Sequence, residues 1–335
     1  MRIVVDAYGG DHAPSEIVKG AIQAINKDKD LEIVLTGKEE VLKQLVSDVE
    51  RISIINAPDV ITNDDAPASA IRDKKNSSLV AALNLLKNDK EIGGLVSAGS
   101  TGAVLTGAFM IVRRIKGISR PALAPILPTV KGGNVILIDC GANVDCKSVN
   151  LAHFAVMGCA YAKAVLNIDN PKVALLSNGV EDSKGNELIR ETFPILHKMN
   201  INFVGNMEAR ELISGDYDVV VSDGFNGNVA LKASEGVAMG MMKMIKQSIN
   251  EGGIRAKLGA LLMKPALYKV KDRMDYSSKG GAAFLGIEKV IIKSHGSSKA
   301  PSICASILQA KQLAENNVIE RIKSGLTGLE IAEND

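Results

Sequence analysis

The feature that most constrains the fold is an alternation of short apolar runs with amphipathic stretches along almost the whole chain. Apolar runs of strand length recur between segments with helical periodicity, such as residues 17–25 and the segment that follows Ser77. The runs cover residues 2–7, 31–37, 52–58, 93–99, 172–179, 201–206, 217–224 and 289–295. Strand, helix and strand in repetition predict an α/β fold with a mostly parallel sheet and helices on both faces.

One interruption of this pattern predicts an antiparallel insert. Two apolar runs, residues 122–130 and 134–142, are separated only by Lys-Gly-Gly, which is typical of a hairpin. The chain contains no linker rich in Pro or Ser. Residues 1–335 are therefore predicted to form a single α/β domain, with a polar tail that frays after about Gly325.

Residues 228–275 form an unusually long predicted helical segment, which Gly252-Gly253 divides. Its second half has apolar side chains at helical spacing: Ile254, Leu258, Leu261 and Leu262. Lys and Arg residues between Lys257 and Arg273 surround this stripe. The stripe fits a dimer interface, and a basic amphipathic segment also fits an anionic lipid surface. Pro265 is expected to limit the continuous helix, so spacing alone favours the interface.

Composition excludes several classes of function. Aromatic residues make up only 3% of the chain and Trp is absent, which argues against a stacking platform for nucleic acid. The net charge of +2 gives no general attraction to DNA or RNA. None of the four cysteines forms a C-x-x-C pair, as expected for free thiols in a reducing cytoplasm. The apolar start of the chain is too short for a signal peptide, and no apolar stretch approaches the length of a membrane span.

Polar loops that contain glycine follow six of the predicted strands, and several of them open helices. In an open parallel sheet the carboxyl ends of the strands meet at one edge, where ligands bind. Helix N-termini and closely approaching glycine backbone favour anions, phosphate above all. The candidate residues in these loops are Asp6, Gly10, Asp11, His12, Ser100, Thr101, Gly102, Asn143, Lys184, Asn186, Asp223, Asn226, Gly227, Asn228 and His295.

Motifs of several other enzyme classes do not occur in the sequence. The chain has no P-loop, no dinucleotide fingerprint after the first strand and no nucleophile elbow. Its strand-end acids are scattered without a D-x-D pair, so no metal site is predicted: Asp6, Asp11, Asp139, Asp145 and Asp223. An enzyme that only positions a phosphate needs none of these motifs and no metal site.

Eight segments in the same order resemble the bacterial phosphate acyltransferases of phospholipid synthesis. They are VDAYGGDHAP (5–14), SAGSTGA (97–103), RIKGISRPALAPILPT (114–129), DCGANVD (139–145), KGNE (184–187), SDGFNGNVALK (222–232), YSSKGGAAFLG (276–286) and KSHGSS (293–298). The resemblance runs from residue 1 to about residue 320. It departs from the family at Tyr8, where Met is usual, and at Ser100, where Asn is frequent.

The resemblance implies transfer of a long-chain acyl group from acyl-carrier protein to inorganic phosphate, giving acyl phosphate for phosphatidic acid and phospholipid synthesis. It implies the three-layer α/β/α fold of isocitrate and isopropylmalate dehydrogenases, shared with phosphotransacetylase. It also implies a cytoplasmic homodimer with no metal or redox cofactor and with peripheral membrane association. The stripe from Ile254 to Leu262 then becomes a membrane contact, and the basic cluster from Lys257 to Arg273 suits an acidic carrier protein.

Catalysis in such an enzyme is expected to rest on positioning and charge stabilisation, because phosphate is already an anionic nucleophile. His12, Lys184 and Asn228 are the predicted catalytic residues. His12 would orient phosphate, take its proton or return one to the leaving thiolate, Lys184 would be the cation for phosphate, and Asn228 or a backbone N–H would stabilise the oxyanion. The predicted phosphate-binding residues are Gly10, Ser100, Thr101, Gly102, Asn143, Asn186, Asn226 and Gly227. Supporting roles are predicted for Asp6, Asp11, Asp223 and His295.

Three other functions stay open at this point. A phosphotransacetylase-type enzyme would use a short acyl-CoA and would not need a lipid-facing stripe. A metal- and NAD-dependent decarboxylating dehydrogenase would share the fold but require clustered carboxylates. A scaffold on the membrane surface would bind carrier protein without turnover.

Overall fold

The computed structural model describes residues 1–46, 49–274 and 280–327, except for the side chains of residues 271–274. The strands are β1 Arg2–Asp6, β2 Glu32–Gly37, β3 Ile52–Asn56, β4 Ile92–Ser97, β5 Ala122–Ala124, β6 Ile126–Pro128, β7 Asn134–Ile138, β8 Val173–Ser177, β9 Phe203–Glu208, β10 Val219–Val221, β11 Ala282–Leu285 and β12 Val290–Lys293. The α-helices are α1 Ser15–Lys27, α2 Glu39–Leu45, α3 Pro67–Asp73, α4 Ser78–Asn88, α5 Thr101–Gly107, α6 Ser148–Tyr161, α7 Glu187–Lys198, α8 Gly224–Glu251, α9 Gly253–Met274, α10 Ala300–Glu315 and α11 Val318–Leu326. Most of the tail predicted after Gly325, part of the YSSKGGAAFLG segment and the side chain of Arg273 lie outside the described residues.

The predicted α/β class is confirmed, but the strands divide into two sheets instead of one. The larger sheet has the order β3-β2-β1-β4-β12-β11-β5, and the smaller has the order β6-β7-β10-β8-β9. Both are largely parallel; β11 runs antiparallel to its two neighbours, and β6 runs antiparallel to β7. The six candidate loops therefore do not share one sheet edge. Those after β1, β4 and β12 belong to the larger sheet, and those after β7, β8 and β10 belong to the smaller one.

The predicted hairpin explains the division into two sheets. Its β6 and β7 pair antiparallel as expected, but β5 leaves the hairpin and pairs with β11, a strand that the sequence pattern does not reveal. Pro125 stands between β5 and β6 and has no N–H to continue a ladder. The first run of the hairpin thus contributes one short strand to each sheet.

The carboxylate of Asp139 joins the two sheets where β5 passes β7. It follows β7 directly and accepts a hydrogen bond of 2.9 Å from the backbone N–H of Leu123 in β5. The N–H of Cys140 returns a bond of 3.1 Å to the carbonyl of Leu123. Because both contacts lie at the carboxyl end of β7, this junction lies beside the strand-end loops that carry the candidate residues.

The helix α6, which packs against strands of the smaller sheet, is mostly apolar. By length and composition the helix Ser148–Leu166, which extends α6, could cross a membrane, but 72% of its most apolar window is buried inside the protein. Burial on this scale is typical of a core helix packed between sheet and helices.

The long helical segment forms two helices, α8 and α9, which separate at Gly252 as predicted. Gly253 has φ +70°, a backbone conformation that favours glycine, and α9 then returns along α8. The expectation that Pro265 limits the helix is wrong, since α9 continues through it to Met274. The proline ring of Pro265 leaves no N–H for the helical hydrogen bond to the carbonyl of Leu261. Leu261 is exposed, so water can bind to this carbonyl.

Candidate active site

A cavity of about 520 Å³ opens where the two sheets meet. Strand ends and one helix form its walls: the loops after β4, β7 and β12, the chain between β5 and β6, the start of β11 and the first turns of α8. Polar lining groups come from both sheets and include Asp11, Ser100, Thr101, Asn228, Lys232, Glu235, Lys293 and His295. Apolar lining groups are Leu123, Pro125, Ile126, Leu231 and Ala282. The cavity thus offers both charged and apolar surface to one ligand.

Five of the residues singled out in the sequence line this cavity. They are Asp11, Ser100, Thr101, Asn228 and His295. Gly10 lies at a smaller neighbouring cavity of about 180 Å³, which shares Asp11 and Ser100 with the larger one. Residues far apart in the sequence therefore meet at one place, as the rule for strand ends predicts.

The two glycines after β1 allow three strand-end loops to pack together. A Cβ on Gly9 would lie 2.6 Å from the backbone N of Gly99, in the loop after β4. Gly10 has φ +102°, and a Cβ there would lie 3.0 Å from the carbonyl oxygen of Gly296, in the loop after β12. The N–H of Asp11 donates to that same carbonyl at 2.8 Å. Glycine is required here for close backbone approach, which brings Asp11 to the cavity wall.

Asp6 stands beneath this loop cluster and is almost fully buried. Only 2% of the residue is exposed, and its Oδ2 accepts a hydrogen bond of 2.7 Å from the Ser97 hydroxyl. Burial raises the pKa of Asp6, although its hydrogen bonds with Ser78, Ser97 and the backbone oppose that rise. Asp6 therefore supports the loops from inside the protein and does not line the cavity.

The start of α8 is held by Asp223, which was predicted to have a supporting role, and by Asn226 and Gly227, which were predicted to bind phosphate. The Asp223 carboxylate caps the helix, accepting from the N–H of Phe225 at 2.9 Å and from the N–H of Asn226 at 2.8 Å. The Asn226 amide also donates to Asp223, at 2.6 Å. Gly227 packs against β7 so closely that a Cβ would lie 2.0 Å from the carbonyl oxygen of Asp139. These contacts fix Asn228 at the cavity, whereas Asn226 and Gly227 do not line it.

Four other predicted phosphate ligands or cations lie away from the cavity. Buried Asn143 donates to the carbonyl of Pro121 at 2.7 Å and to Asp139 at 2.9 Å. Asn186 caps α7 by accepting from the N–H of Ile189 at 3.0 Å. Gly102 packs against Pro67, and Lys184 is exposed on the loop after β8. Exposed His12 also does not line the cavity, although Asp11 beside it does. The roles proposed for these residues stay predictions.

Lys293, Lys232 and Glu235 line the cavity but were not among the predicted site residues. Lys232 and Glu235 form a salt bridge of 2.8 Å on α8. Lys293 ends β12, and burial lowers its pKa to about 8, although Asp11 and Asp6 oppose that shift. The signal for Lys293 was a single charged residue at the end of the apolar run VIIK.

His295 lines the cavity in a defined tautomer. Its Nδ1 accepts a hydrogen bond of 3.2 Å from the backbone N–H of Ser297, which can only donate. The proton of the neutral ring is therefore on Nε2. Burial lowers the pKa of His295, and the positive charges of Lys232 and Lys293 lower it further. The neutral ring thus presents one N–H donor.

Within the described ranges, no group of three His, Cys, Asp or Glu side chains is arranged to hold a metal ion. Asp139 and Asp223, two of the strand-end acids, instead accept backbone N–H groups of their own loops.

Comparison with known proteins identifies relatives over the full length of the chain. Residues 1–321 match the model of a family described as "Fatty acid synthesis protein". A relative from Caldanaerobacter subterraneus subsp. tengcongensis, named phosphate acyltransferase, is 47% identical over 334 residues, covering 99% of this chain and 100% of the relative.

Solved structures share the fold at low sequence identity. A phosphotransacetylase from Streptococcus pyogenes superposes with a TM-score of 0.60 at 20% identity, covering 93% of this chain and 94% of that one. A putative 4-hydroxythreonine-4-phosphate dehydrogenase from Salmonella typhimurium gives a TM-score of 0.50 at 15% identity, covering 93% and 99%. These similarities confirm a fold common to phosphotransacetylases and a class of dehydrogenases.

Proposed function

The chain belongs to the fatty acid synthesis protein family and is a phosphate acyltransferase, and on this premise we propose that its acyl donor is a long-chain acyl-carrier protein. The product is an acyl phosphate for phosphatidic acid and phospholipid synthesis. The observation that carries the proposal is the mixed lining of the cavity, where Lys293 and Asn228 share one space with Leu123 and Leu231. Charged groups suit the phosphate, and the aliphatic side chains suit the methylene groups next to the thioester.

The proposed reaction needs no covalent enzyme intermediate. A phosphate oxygen attacks the thioester carbonyl carbon, and the carbonyl oxygen becomes the oxyanion of a tetrahedral intermediate. Collapse of this intermediate breaks the C–S bond, and the carrier thiolate leaves and takes up a proton. We assign the Asn228 amide to the oxyanion and the hydroxyls of Ser100 and Thr101 to phosphate, because all three line the same cavity.

Two histidines are candidates for guiding the proton of the attacking hydrogenphosphate to the leaving thiolate. His12 was assigned from the sequence, and His295 lines the cavity with its N–H on Nε2. A neutral imidazole does not give up its Nε2 proton as an acid, so His295 would act by hydrogen-bonding the leaving sulfur or by relaying the phosphate proton; positioned proton-transfer groups typically contribute about 10²–10⁴ in rate. We expect His295→Ala to lower kcat by at least about tenfold. His295→Gln keeps an N–H donor and is expected to lose less activity. Single-turnover kinetics of both variants and of His12→Ala measure these losses. If only His12→Ala loses activity, the assignment to His12 holds and that to His295 fails.

Lys184 remains the cation proposed from the sequence for phosphate. It is exposed on the loop after β8, so Lys184→Ala is expected to leave stability unchanged and any effect on turnover reports function directly. Near-normal turnover of the folded His12→Ala, Lys184→Ala and Asn228→Ala variants together would rule out the proposed site.

The donor is tested by trapping acyl phosphate with hydroxylamine. Palmitoyl-carrier protein and palmitoyl-CoA are each incubated with phosphate and the protein in the presence of EDTA. Product from the carrier substrate, unaffected by EDTA, supports the proposal, including the absence of a required metal. Product only from CoA donors, with short chains preferred, supports the second candidate, a phosphotransacetylase-type activity, which the shared fold favours.

We also propose that the protein is a homodimer that associates peripherally with a membrane from the cytoplasmic side. The side chains of Val237, Met241 and Met244 are well exposed on α8 at helical spacing and supply an apolar face for a second copy. Near the turn between the helices, Ile254, Leu258, Leu261 and Leu262 are exposed on α9, and Arg255 and Lys257 lie among them. Apolar and basic side chains on one helix suit an anionic lipid surface.

The membrane contact predicts a separable phenotype. Leu258→Glu combined with Leu262→Glu is expected to reduce co-sedimentation with phosphatidylglycerol vesicles by at least about tenfold, because it removes two inserted apolar side chains and adds two charges. Size-exclusion mass and turnover with soluble donor are expected to stay unchanged. A loss of dimer mass in this variant would assign the stripe to the interface between copies instead.

A further inference from the structure

Lys293 stands in a row of polar residues at the carboxyl ends of three neighbouring strands. In the register of the larger sheet Asp6 on β1 pairs with Ser97 on β4, and Ser97 pairs with Lys293 on β12. Residues at matched positions of adjacent strands project to the same face of the sheet. The buried part of this row ends at the cavity, where Lys293 is a lining residue that is only 8% exposed.

The charge of Lys293 lacks the direct counterion that other buried or cavity lysines have. Within the described part of the chain Lys293 forms no ion pair with a carboxylate, and its Nζ donates to the carbonyl of Ser294. Lys311 is equally buried, at 8% exposure, but forms ion pairs with Asp28 and Glu315. A buried ammonium without a paired anion is unfavourable, so a ligand that brings negative charge to Lys293 is favoured.

We propose that the Nζ of Lys293 binds the phosphate substrate in the cavity and carries the positive charge that holds it. The inference rests on the proposed function, since it names the cation of that same site. The geometry supports it because Lys293 lies between the loop after β4, with Ser100 and Thr101, and the first turns of α8, with Asn228. A phosphate held by this ammonium would stand next to the groups proposed for the oxyanion.

The ionisation of Lys293 then limits activity at alkaline pH. Burial lowers the pKa of Lys293 to about 8, although the negative charges of Asp11 and Asp6 oppose this shift. Three other titratable groups line the same cavity: Lys232 and Glu235 from α8, and His295 from the loop after β12. Above that pH the free enzyme loses the ammonium, so kcat/KM for phosphate is expected to fall. Lys293→Arg keeps its charge throughout and is expected to remove this fall.

The test compares Lys293→Met with Lys311→Met, two buried lysines of equal exposure. Lys293→Met is expected to raise the KM for inorganic phosphate by about 10- to 100-fold. It is also expected to abolish the rise in Tm that phosphate produces, while the Tm of the variant without phosphate is equal to that of wild type or higher. Lys311→Met is expected to lower Tm, because Asp28 loses its partner, and to leave the KM for phosphate unchanged.

A KM for phosphate within twofold of wild type in Lys293→Met would overturn the inference. If this variant does not fold, Lys293→Gln and Lys293→Arg decide: the inference requires weak phosphate binding in the first and retained binding in the second. Wild-type turnover is measured alongside. If the wild-type protein shows no turnover, the proposed function is rejected. If the wild type turns over and the variants keep its KM for phosphate, only the role of Lys293 is rejected.

Discussion

Asn228→Ala is expected to lower kcat by about 10²–10³-fold with little change in Tm. Loss of one preorganised donor to an oxyanion typically has an effect of this size. The side chain of Asn228 is exposed at the cavity, and within the described residues no protein group is hydrogen-bonded to its amide, so its removal leaves no buried partner unsatisfied. The measurement is single-turnover formation of acyl phosphate at saturating phosphate and donor.

Two variants isolate the effect of the Asn228 donor. Asn228→Asp keeps the shape but replaces the N–H₂ group with a carboxylate, and it is expected to be at least as inactive as Asn228→Ala. Val229→Ala changes an exposed neighbour on the same helical turn that does not line the cavity, and it is expected to keep wild-type kcat. Less than a threefold loss in Asn228→Ala would contradict the assignment of the oxyanion donor.

Asp139→Ala is expected to reduce the free energy of unfolding by about 3–5 kcal/mol, a loss typical of buried charged networks. The carboxylate is completely buried and accepts hydrogen bonds from the backbone N–H groups of Leu123, Gly141, Ala142 and Asn143, and from the Asn143 amide. Its removal leaves these donors unsatisfied and separates β5 from β7 at the junction of the sheets. Urea unfolding at fixed protein concentration measures the loss.

The neutral isostere Asp139→Asn provides the matched control. Burial raises the pKa of Asp139, although the hydrogen bonds that it accepts from Leu123, Ala142 and Asn143 oppose this rise. Asp139→Asn keeps one acceptor oxygen for Leu123 and Gly141 but turns N–H₂ toward the donors of Asn143. We expect a loss smaller than that of Asp139→Ala. Equal stability of Asp139→Ala and wild type would show that Asp139 does not join the sheets.

The α/β fold class could be predicted from the local pattern of apolar residues in the sequence, whereas the division of the strands into two sheets could not. Apolar periodicity reports which residues are buried, and it placed the parallel strands and the helices between them correctly. It does not report which strands pair. That depends on contacts such as those of β5 with β11, and β11 has only four residues, Ala282–Leu285.

The same limit explains which site residues could be predicted. Ser100 and His295 stand in polar loops that follow strands, and Asn228 lies in the first turns of a helix that such a loop opens, so the rule for strand ends found them. Lys293 is the last residue of β12. It is buried because β12 lies between β4 and β11, where Lys293 pairs with Ser97 and Ala282, and both are distant from it in the sequence. Its environment therefore became visible only in three dimensions.

Capping residues and ligand-binding residues look alike in a sequence. Asn186 and Asp223 each precede a helix, as a phosphate ligand or an N-cap would. In the structure both accept N–H groups of the helix that follows. Sequence pattern alone does not separate these two uses, because both depend on the same unpaired N–H groups.

The central claim is that phosphate binds and reacts in the cavity between the two sheets, and a crystal structure of the protein with bound phosphate tests it most directly. We expect density for one phosphate within hydrogen-bonding distance of Lys293 Nζ and of the loop at Ser100 and Thr101, close to the Asn228 amide. Phosphate bound instead at Lys184 and Asn186, with the cavity between the sheets empty, would contradict this claim and return the site to the loop after β8.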